Sequence, residues 1–217
     1  MRGNNGTRRQ RTPLVLAVAA LMVAALVAMT GCVKVVKIGE EAKLTGETTF
    51  DASSSVEEMW DSKLLPEITG EATDLVTLLK ESGDDPATAK EQYGLGNGKK
   101  VFAVKGTGTV TAVDSAKQGT MTVQLEGYTG AAEVKIQVGP IYKGTSIRDA
   151  LSFVSNQDVK NQVEWAELSQ KINEKVNTDV VSKVDVASAT GKKVTFTGCF
   201  TSDGSKVLIT PVELSVE

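Results

Sequence analysis

Histidine is absent from this 217-residue chain, cysteine and tryptophan occur twice each, and aromatic residues make up only 5% of it. Without histidine there is no histidine-based triad, no imidazole general base and almost no route to a zinc site. With Cys32 and Cys199 as the only thiols, no disulfide framework of the kind that holds small secreted domains together is open to it. Positive charge is also sparse. Four arginines (Arg2, Arg8, Arg9, Arg11) stand in the first 31 residues, which hold no acid. The remaining 186 residues carry 20 basic and 27 acidic side chains, a formal charge of −7, and Arg148 is their only arginine. So acidic a body argues against a nucleic-acid partner. What the chain does have is apolar side chain, 41% of its residues, which argues against bulk disorder. Its size suits one domain, or one domain with an appendage, burying about 70% of its unfolded surface.

The one long apolar run is Leu14 to Met29. At 1.5 Å per residue it spans about 24 Å, short of the roughly 30 Å of a bilayer core. Preceded by arginines and followed by small residues, it has the form of a secretory signal peptide. Met29-Thr30-Gly31-Cys32 resembles the lipobox of bacterial lipoproteins, in which the signal is cut before a diacylglyceryl-modified cysteine. Met29 stands where Leu, Val or Ile is usual. The expectation is a signal peptide over 1–31, cleavage between Gly31 and Cys32, lipidation of Cys32 and a tether over 32–50. An uncleaved anchor helix is the competing reading, disfavoured by the short run. Thr7-Arg8-Arg9-Gln10 is similar to a twin-arginine signal, but the residues after it do not match and ordinary Sec export fits better. Either route places the body outside the cytoplasm. A diacylglyceryl group brings two acyl chains, enough for stable anchoring in a membrane.

Over 51–98 the apolar spacing predicts a helical segment packing on a later barrel. Ser55 and Glu58 form a capping-box pattern ahead of Val56, Met59, Trp60 and Leu64. Pro66 interrupts or restarts the helix, and Ile68, Ala72, Leu75, Val76 and Leu79 continue its stripe to Ser82-Gly83. Asp85-Pro86 predicts a capped short helix that stops at Gly94.

From 99 onward the period becomes two. Phe102, Val104, Val110 and Ala112 alternate along a long strand with Gly106 and Gly108 on the same face, a sign of bending or close backbone approach. Met121, Val123 and Leu125 mark a second strand, and Ala132, Val134, Ile136 and Val138 a third. A helical insertion follows at about 145–184, with Thr145 capping a short turn and Ser155 with Asp158 forming another capping box. Its helix is expected to bury Val163, Trp165, Ala166, Leu168, Ile172 and Val176. Val194-Phe196-Phe200 and Leu208-Val212-Leu214-Val216 supply two closing strands. This element order, β-β-β-α-β-β, predicts an α+β chain whose 99–217 portion is an OB-like five-stranded barrel; an open α+β sandwich is the rival.

Candidate chemistry is thin. Gly94-Leu95-Gly96-Asn97-Gly98-Lys99-Lys100 fails as a phosphate loop, because no Ser or Thr follows the lysine and a strand follows where a helix should begin. Cys199 has no histidine to activate it, and reads as a quiet structural thiol facing away from Val194, Phe196 and Phe200. Asp84-Asp85 and Ser202-Asp203-Gly204-Ser205 lack calcium-loop spacing; the second reads as a hairpin turn. The outward residues of the second and third strands, Thr120, Thr122, Gln124, Glu126, Glu133, Lys135 and Gln137, include no aromatic platform for bases. No catalytic residue, metal or cofactor is expected. The most suggestive cluster is Arg148-Asp149 with Asn156, Gln157 and Asp158, then Asn161, Gln162 and Trp165. Amides, a lone guanidinium and an aromatic are what a sugar site uses, hydrogen bonds plus a stacking face. The plainer reading is a capped, solvated helix with Trp165 in the core, and Trp60 carries the same ambiguity.

Several stretches carry a wider resemblance. They are Phe50-Asp51-Ala52 leading to Trp60-Asp61-Ser62-Lys63, then Val104 to Val110, and Gly139-Pro140 leading to Gly144 through Leu151. Asn161-Gln162-Val163-Glu164, Val194 to Gly198 and Ile209-Thr210-Pro211-Val212 complete the set. Together they resemble DUF2291, a family of predicted bacterial periplasmic lipoproteins, with Trp165 standing where the family pattern has tyrosine. The resemblance implies an exported, lipid-anchored domain, often encoded beside sugar ABC-transporter components, with no established activity and no catalytic residues. The expected function is therefore a non-enzymatic binding or accessory protein at the cell envelope, linked to sugar transport. Its partners would be the membrane, through the lipid on Cys32, and a sugar ABC-transporter component or a small carbohydrate. An envelope glycan hydrolase using paired carboxylates and a structural spacer or assembly factor are the alternatives.

Overall fold

In the computed structural model, residues 50–202 and 206–217 are described. The expected signal peptide, its expected cleavage between Gly31 and Cys32, the expected lipidation of Cys32, the expected tether before Phe50 and residues 203–205 of the expected hairpin turn lie outside them.

Asp51, not Ser55, starts the first helix. Its carboxylate accepts from the Ser53 and Ser54 N–H groups at 3.0 and 3.2 Å, and from the Ser54 hydroxyl at 2.7 Å. Helix α1 (Ala52–Met59) passes through a π-type turn (Trp60–Leu64) into α2 (Leu65–Glu71). The widened turn ends just before Pro66, which has no N–H to give, and the Leu65 N–H reaches back to the Trp60 carbonyl. Val56, Trp60, Leu64 and Ile68, four residues apart, form one buried face. The stripe then breaks. Thr73 and Asp74 form a two-residue strand, β1, parallel to Val104 and Lys105. Asp74 caps α3 (Leu75–Asp84) by accepting from the Thr77 N–H at 2.8 Å. Asp85 caps α4 (Pro86–Tyr93), as the Asp-Pro pair predicts.

Strands β2 (Val101–Asp114), β3 (Thr120–Leu125), β4 (Glu133–Gln137), β5 (Lys193–Thr201) and β6 (Lys206–Val216) pair in the order β2-β3-β4-β6-β5 and back to β2. β4 and β6 run parallel; the other barrel pairings are antiparallel. The result is a closed five-stranded barrel with a helical insertion after its third strand, the OB-like α+β fold expected. Closure depends on β2 serving two neighbours: Val101–Thr109 pairs with β5 and Gly108–Asp114 with β3. At the crossover a Cβ on Gly108 would lie 2.4 Å from the Gln124 carbonyl oxygen, and one on Gly106 2.9 Å from the Phe196 ring. No larger residue allows that approach.

Two cores result. Phe102, Val104, Met121, Ile136, Phe196 and Ile209 are among those filling the barrel, where the Phe102 and Phe200 rings stack at 5.4 Å. The outer face of the same wall (Val101, Ala103, Cys199, Val212) meets Trp60, Leu64 and Ile68 of the first helices, with Ile147, Leu168 and Ile172 of the insertion. The start of β2, Val101 to Val104, is thus buried on both faces.

Several expectations change. Thr111 is an extra residue between the pairs Val110–Val123 and Ala112–Thr122, so Ala112 turns to solvent. Val212 is likewise skipped between Thr197–Glu213 and Gly198–Pro211, and Val207 and Ile209, not Leu208, point inward. Ser155 and Asp158 close a turn in a loop rather than start a helix. The insertion comprises α5 (Ser146–Ala150) and α6 (Gln162–Lys175), then π and 3-10 turns to Ser188, past the expected 184. Val163 is 54% exposed and Ala166 is exposed, because the cap at Asn161 rotates α6 to bury Leu168, Ile172 and Val176. Gln137 is buried, its amide nitrogen donating to the Thr210 hydroxyl at 2.8 Å and its oxygen accepting from the Lys143 N–H at 2.6 Å.

Candidate functional site

Helix α5 is seated on the barrel wall by Ser146, whose hydroxyl donates to the Cys199 carbonyl at 3.1 Å. The same helix fixes a polar pair. Arg148 donates from Nε and Nη2 to Asp149 Oδ1 at 2.8 and 2.6 Å, and from Nη1 to the Trp165 carbonyl at 3.0 Å. Its guanidinium carbon lies 4.1 Å from the centre of the Trp165 ring. The other Asp149 oxygen accepts from the Thr145 hydroxyl at 2.5 Å. Both carboxylate oxygens are therefore engaged, and three of the five guanidinium N–H donors are spent.

Against this pair lies the turn before β2. Gly96 has φ +69°, and a Cβ there would sit 2.1 Å from the Asp149 carbonyl oxygen. Only glycine permits both the angle and the approach. Between the turn, α5, the 151–156 loop and the first turn of α6 is a cavity of about 470 Å³. Its polar lining is Asn97, Lys100, Arg148, Asp149, Ser155, Asn156 and Thr201, with Trp165 beside them. That volume falls in the range of small-molecule sites, about 300–1,000 Å³.

Of the residues singled out from sequence, Arg148, Asp149, Asn156 and Trp165 converge on this cavity. The others do not. Trp60 is 4% exposed in the outer core, its ring 5.7 Å from the Lys175 ammonium. Asn161 uses its side-chain oxygen to cap α6, accepting from the Val163 and Glu164 N–H groups at 2.9 and 3.0 Å, and Gln162 is exposed beside it. Asn97, Lys100 and Thr201 belong to the cavity wall but were not singled out. The glycine-dense turn lacks the spacing of a phosphate loop and reads in sequence as a connector. Its Asn and paired lysines just ahead of a strand were the available signal.

Elsewhere the polar groups hold the structure together. The Lys175 ammonium bridges Glu57 of α1 at 2.8 Å and Asp179 at 2.7 Å. Glu67 of α2 accepts from the Ser152 N–H at 2.7 Å. Cys199 is fully buried and burial pushes its thiol well above the usual range, so it is a structural thiol. A second groove of about 360 Å³ lies between α1 and the 153–159 loop, and a third of about 350 Å³ on the outer face of β4 and β6.

A family model described as a predicted periplasmic lipoprotein matches residues 22–215. The chain belongs to the DUF2291 family. Its members are thus predicted to work outside the cytoplasm on a lipid anchor, in keeping with the lipobox at Cys32. An OB-fold protein from Thermotoga maritima, known from its crystal structure, superposes on this DUF2291 chain with a TM-score of 0.61 at 17% identity, covering 78% of this chain and all of that one. At that identity the likeness speaks for the fold. No curated protein is detectably similar in sequence. No helix among the described residues is long and apolar enough to cross a membrane.

Proposed function

We propose that this DUF2291 lipoprotein is a non-enzymatic binding protein of the cell envelope, held by the lipid on Cys32 and accessory to sugar uptake. Its ligand is a small carbohydrate, held in the cavity beside Arg148, Asp149 and Trp165. The observation that carries the reading is that cavity: polar side chains from four separate segments converge on it beside an aromatic. Hydrolysis of a glycan would need a second carboxylate about 5–9 Å from the first. Among the described residues Asp149 is the only acid in the wall, and its oxygens are already bound by Arg148 and Thr145. A transporter's main solute receptor closes two lobes on its ligand, whereas this body is one barrel with helices.

The test uses the lipidated full chain taken from its native envelope. A panel of pentoses and hexoses is screened by thermal shift, and proteins that co-purify are identified. At 100-fold excess over the dissociation constant a bound sugar adds about 2.7 kcal/mol of stability, several degrees of Tm. Asn156→Ala should reduce the shift without altering the unliganded Tm. No shift with any sugar or charged derivative removes the carbohydrate reading. Absence of transporter components from the purified material removes the accessory role.

A further inference from the structure

We infer that the carbohydrate is anionic, a sugar bearing a carboxylate or a phosphate ester whose charge is met by Lys100 and the unspent N–H groups of Arg148. This rests on the binding reading above and narrows it.

The charge balance points there first. The cavity wall holds two cations, Lys100 and Arg148, against one acid, Asp149. Arg148 and Asp149 neutralise each other at 2.6 Å. That leaves Lys100, which is exposed and makes no ion pair among the described residues, as a net positive charge in a body of formal charge −7. A local potential opposite in sign to the whole protein's draws an anion into this cavity rather than to the general surface.

The hydrogen-bonding inventory agrees. Two Arg148 N–H groups and the Lys100 ammonium are available donors, whereas Asp149, accepting two bonds on Oδ1 and one on Oδ2, keeps a single acceptor site. Asn97, Asn156 and Thr201 can donate as well as accept. A neutral sugar brings hydroxyl donors that need acceptors in return; a carboxylate or phosphate brings acceptors only. The aromatic also has less to offer a neutral ring than its presence suggests. The Arg148 guanidinium at 4.1 Å already covers one face of Trp165. Recognition therefore falls on the charged and polar groups.

The experiment is calorimetric titration of the lipidated full chain in detergent at low and moderate salt. Glucose and galactose are compared with glucuronate, galacturonate and glucose 6-phosphate, with acetate and inorganic phosphate alone as anion controls. The expected result is at least tenfold tighter binding of a uronate or a sugar phosphate than of its neutral parent, weakened by salt. The arm that binds tells carboxylate from phosphate. Lys100→Gln should erase the preference while leaving the unfolding temperature unchanged, since the side chain is exposed. Equal affinity for neutral and anionic sugars, or a preference that survives Lys100→Gln, overturns the inference and leaves the carbohydrate reading intact. Acetate or phosphate binding as tightly as the matching sugar derivative overturns it by showing that no sugar is read. Binding of no sugar at all, neutral or charged, overturns both.

Discussion

Arg148 grips Trp165 twice: its guanidinium carbon lies 4.1 Å from the centre of the indole, and its Nη1 donates to the same residue's carbonyl oxygen at 3.0 Å. Through Asp149 the same side chain is locked to its own helix. One arginine, the only one after residue 11, thus joins α5 to the first turn of α6 and forms one wall of the candidate site.

Arg148→Ala should therefore cost about 1–3 kcal/mol, because it takes both guanidinium donors from the Asp149 carboxylate, whose side chain is 35% exposed, and removes the cation from the ring. Arg148→Lys should recover less than half of the loss, since an ammonium cannot present the planar fork. Urea unfolding measures both. In a Trp60→Phe background, the emission of Trp165 should move to longer wavelength in Arg148→Ala as solvent reaches the ring. An unchanged urea midpoint would show that the guanidinium contributes nothing to the fold.

A matched pair of glycine substitutions tests the bend in β2. Gly108→Ala puts a methyl 2.4 Å from the Gln124 carbonyl oxygen and 2.6 Å from Val123 Cγ1, so a strand must shift, and the expected cost is about 1–3 kcal/mol. Gly70→Ala in α2 meets nothing within 4 Å and should instead stabilise by about 0.5–1 kcal/mol through helix propensity. Opposite signs in the two thermal transitions are the expected outcome.

The barrel was legible because its information is local and periodic. Alternation at Met121, Val123 and Leu125, and at Val194 and Phe196, puts each side chain where it is buried, and Gly106 with Gly108 announces the bend. The errors share a different cause. Thr111 and Val212 each add one residue to one strand without changing the pattern of residue types, so alternation alone puts Ala112 and Leu208 a half-period out. The start of α6 is ambiguous in sequence because Ser155 with Asp158 and Asn161 with Glu164 are both plausible caps. Only the packing of Leu168 and Ile172 against the barrel selects the second. The site was half legible: Arg148 and Trp165 stood out by rarity, whereas Lys100 is one of many lysines until the fold places it.

Acid stability follows from the caps. Asp51, Asp85 and Asp185 are held below the ordinary carboxylate range, first by side-chain hydrogen bonds from Ser54, Thr88 and Ser188 and then by backbone N–H groups. Asp179 is held down by Lys175 and then Thr178. For groups with lowered folded values, the stabilisation is complete above the unfolded value and disappears as pH falls through the folded one. The urea midpoint should therefore be flat from about pH 5 to 8 and fall below about pH 4. Lys175 has the opposite sign. Held above its ordinary value by Asp179 and then Glu57, it contributes below that value and loses its contribution as pH rises through the folded one. Asp179→Asn should lower the neutral-pH stability by less than about 1 kcal/mol and flatten part of the acid limb. A midpoint that rises on acidification would contradict the assignment of the caps.

The two cysteines make a final prediction that joins fold to anchoring. Cys199 lies at 0% exposure between the barrel wall and the helices, and burial alone drives its thiol far from ionisation. Since the thiolate is the reacting species, a thiol reagent at pH 8 should reach it only through unfolding. Its labelling should be slow in buffer and complete within minutes in denaturing urea. Cys32 behaves differently according to its chemistry. With its sulfur in a thioether to diacylglycerol it reacts under neither condition, so lipidated protein should show no fast thiol and one slow one. Protein made in the cytoplasm without its leader would carry a free Cys32 near its start and label at once at a single site. The comparison separates lipid attachment from burial. Fast labelling of protein taken from its native membrane would mean that Cys32 is unmodified there, and slow labelling of Cys32→Ser protein is the control that assigns the remaining thiol to Cys199.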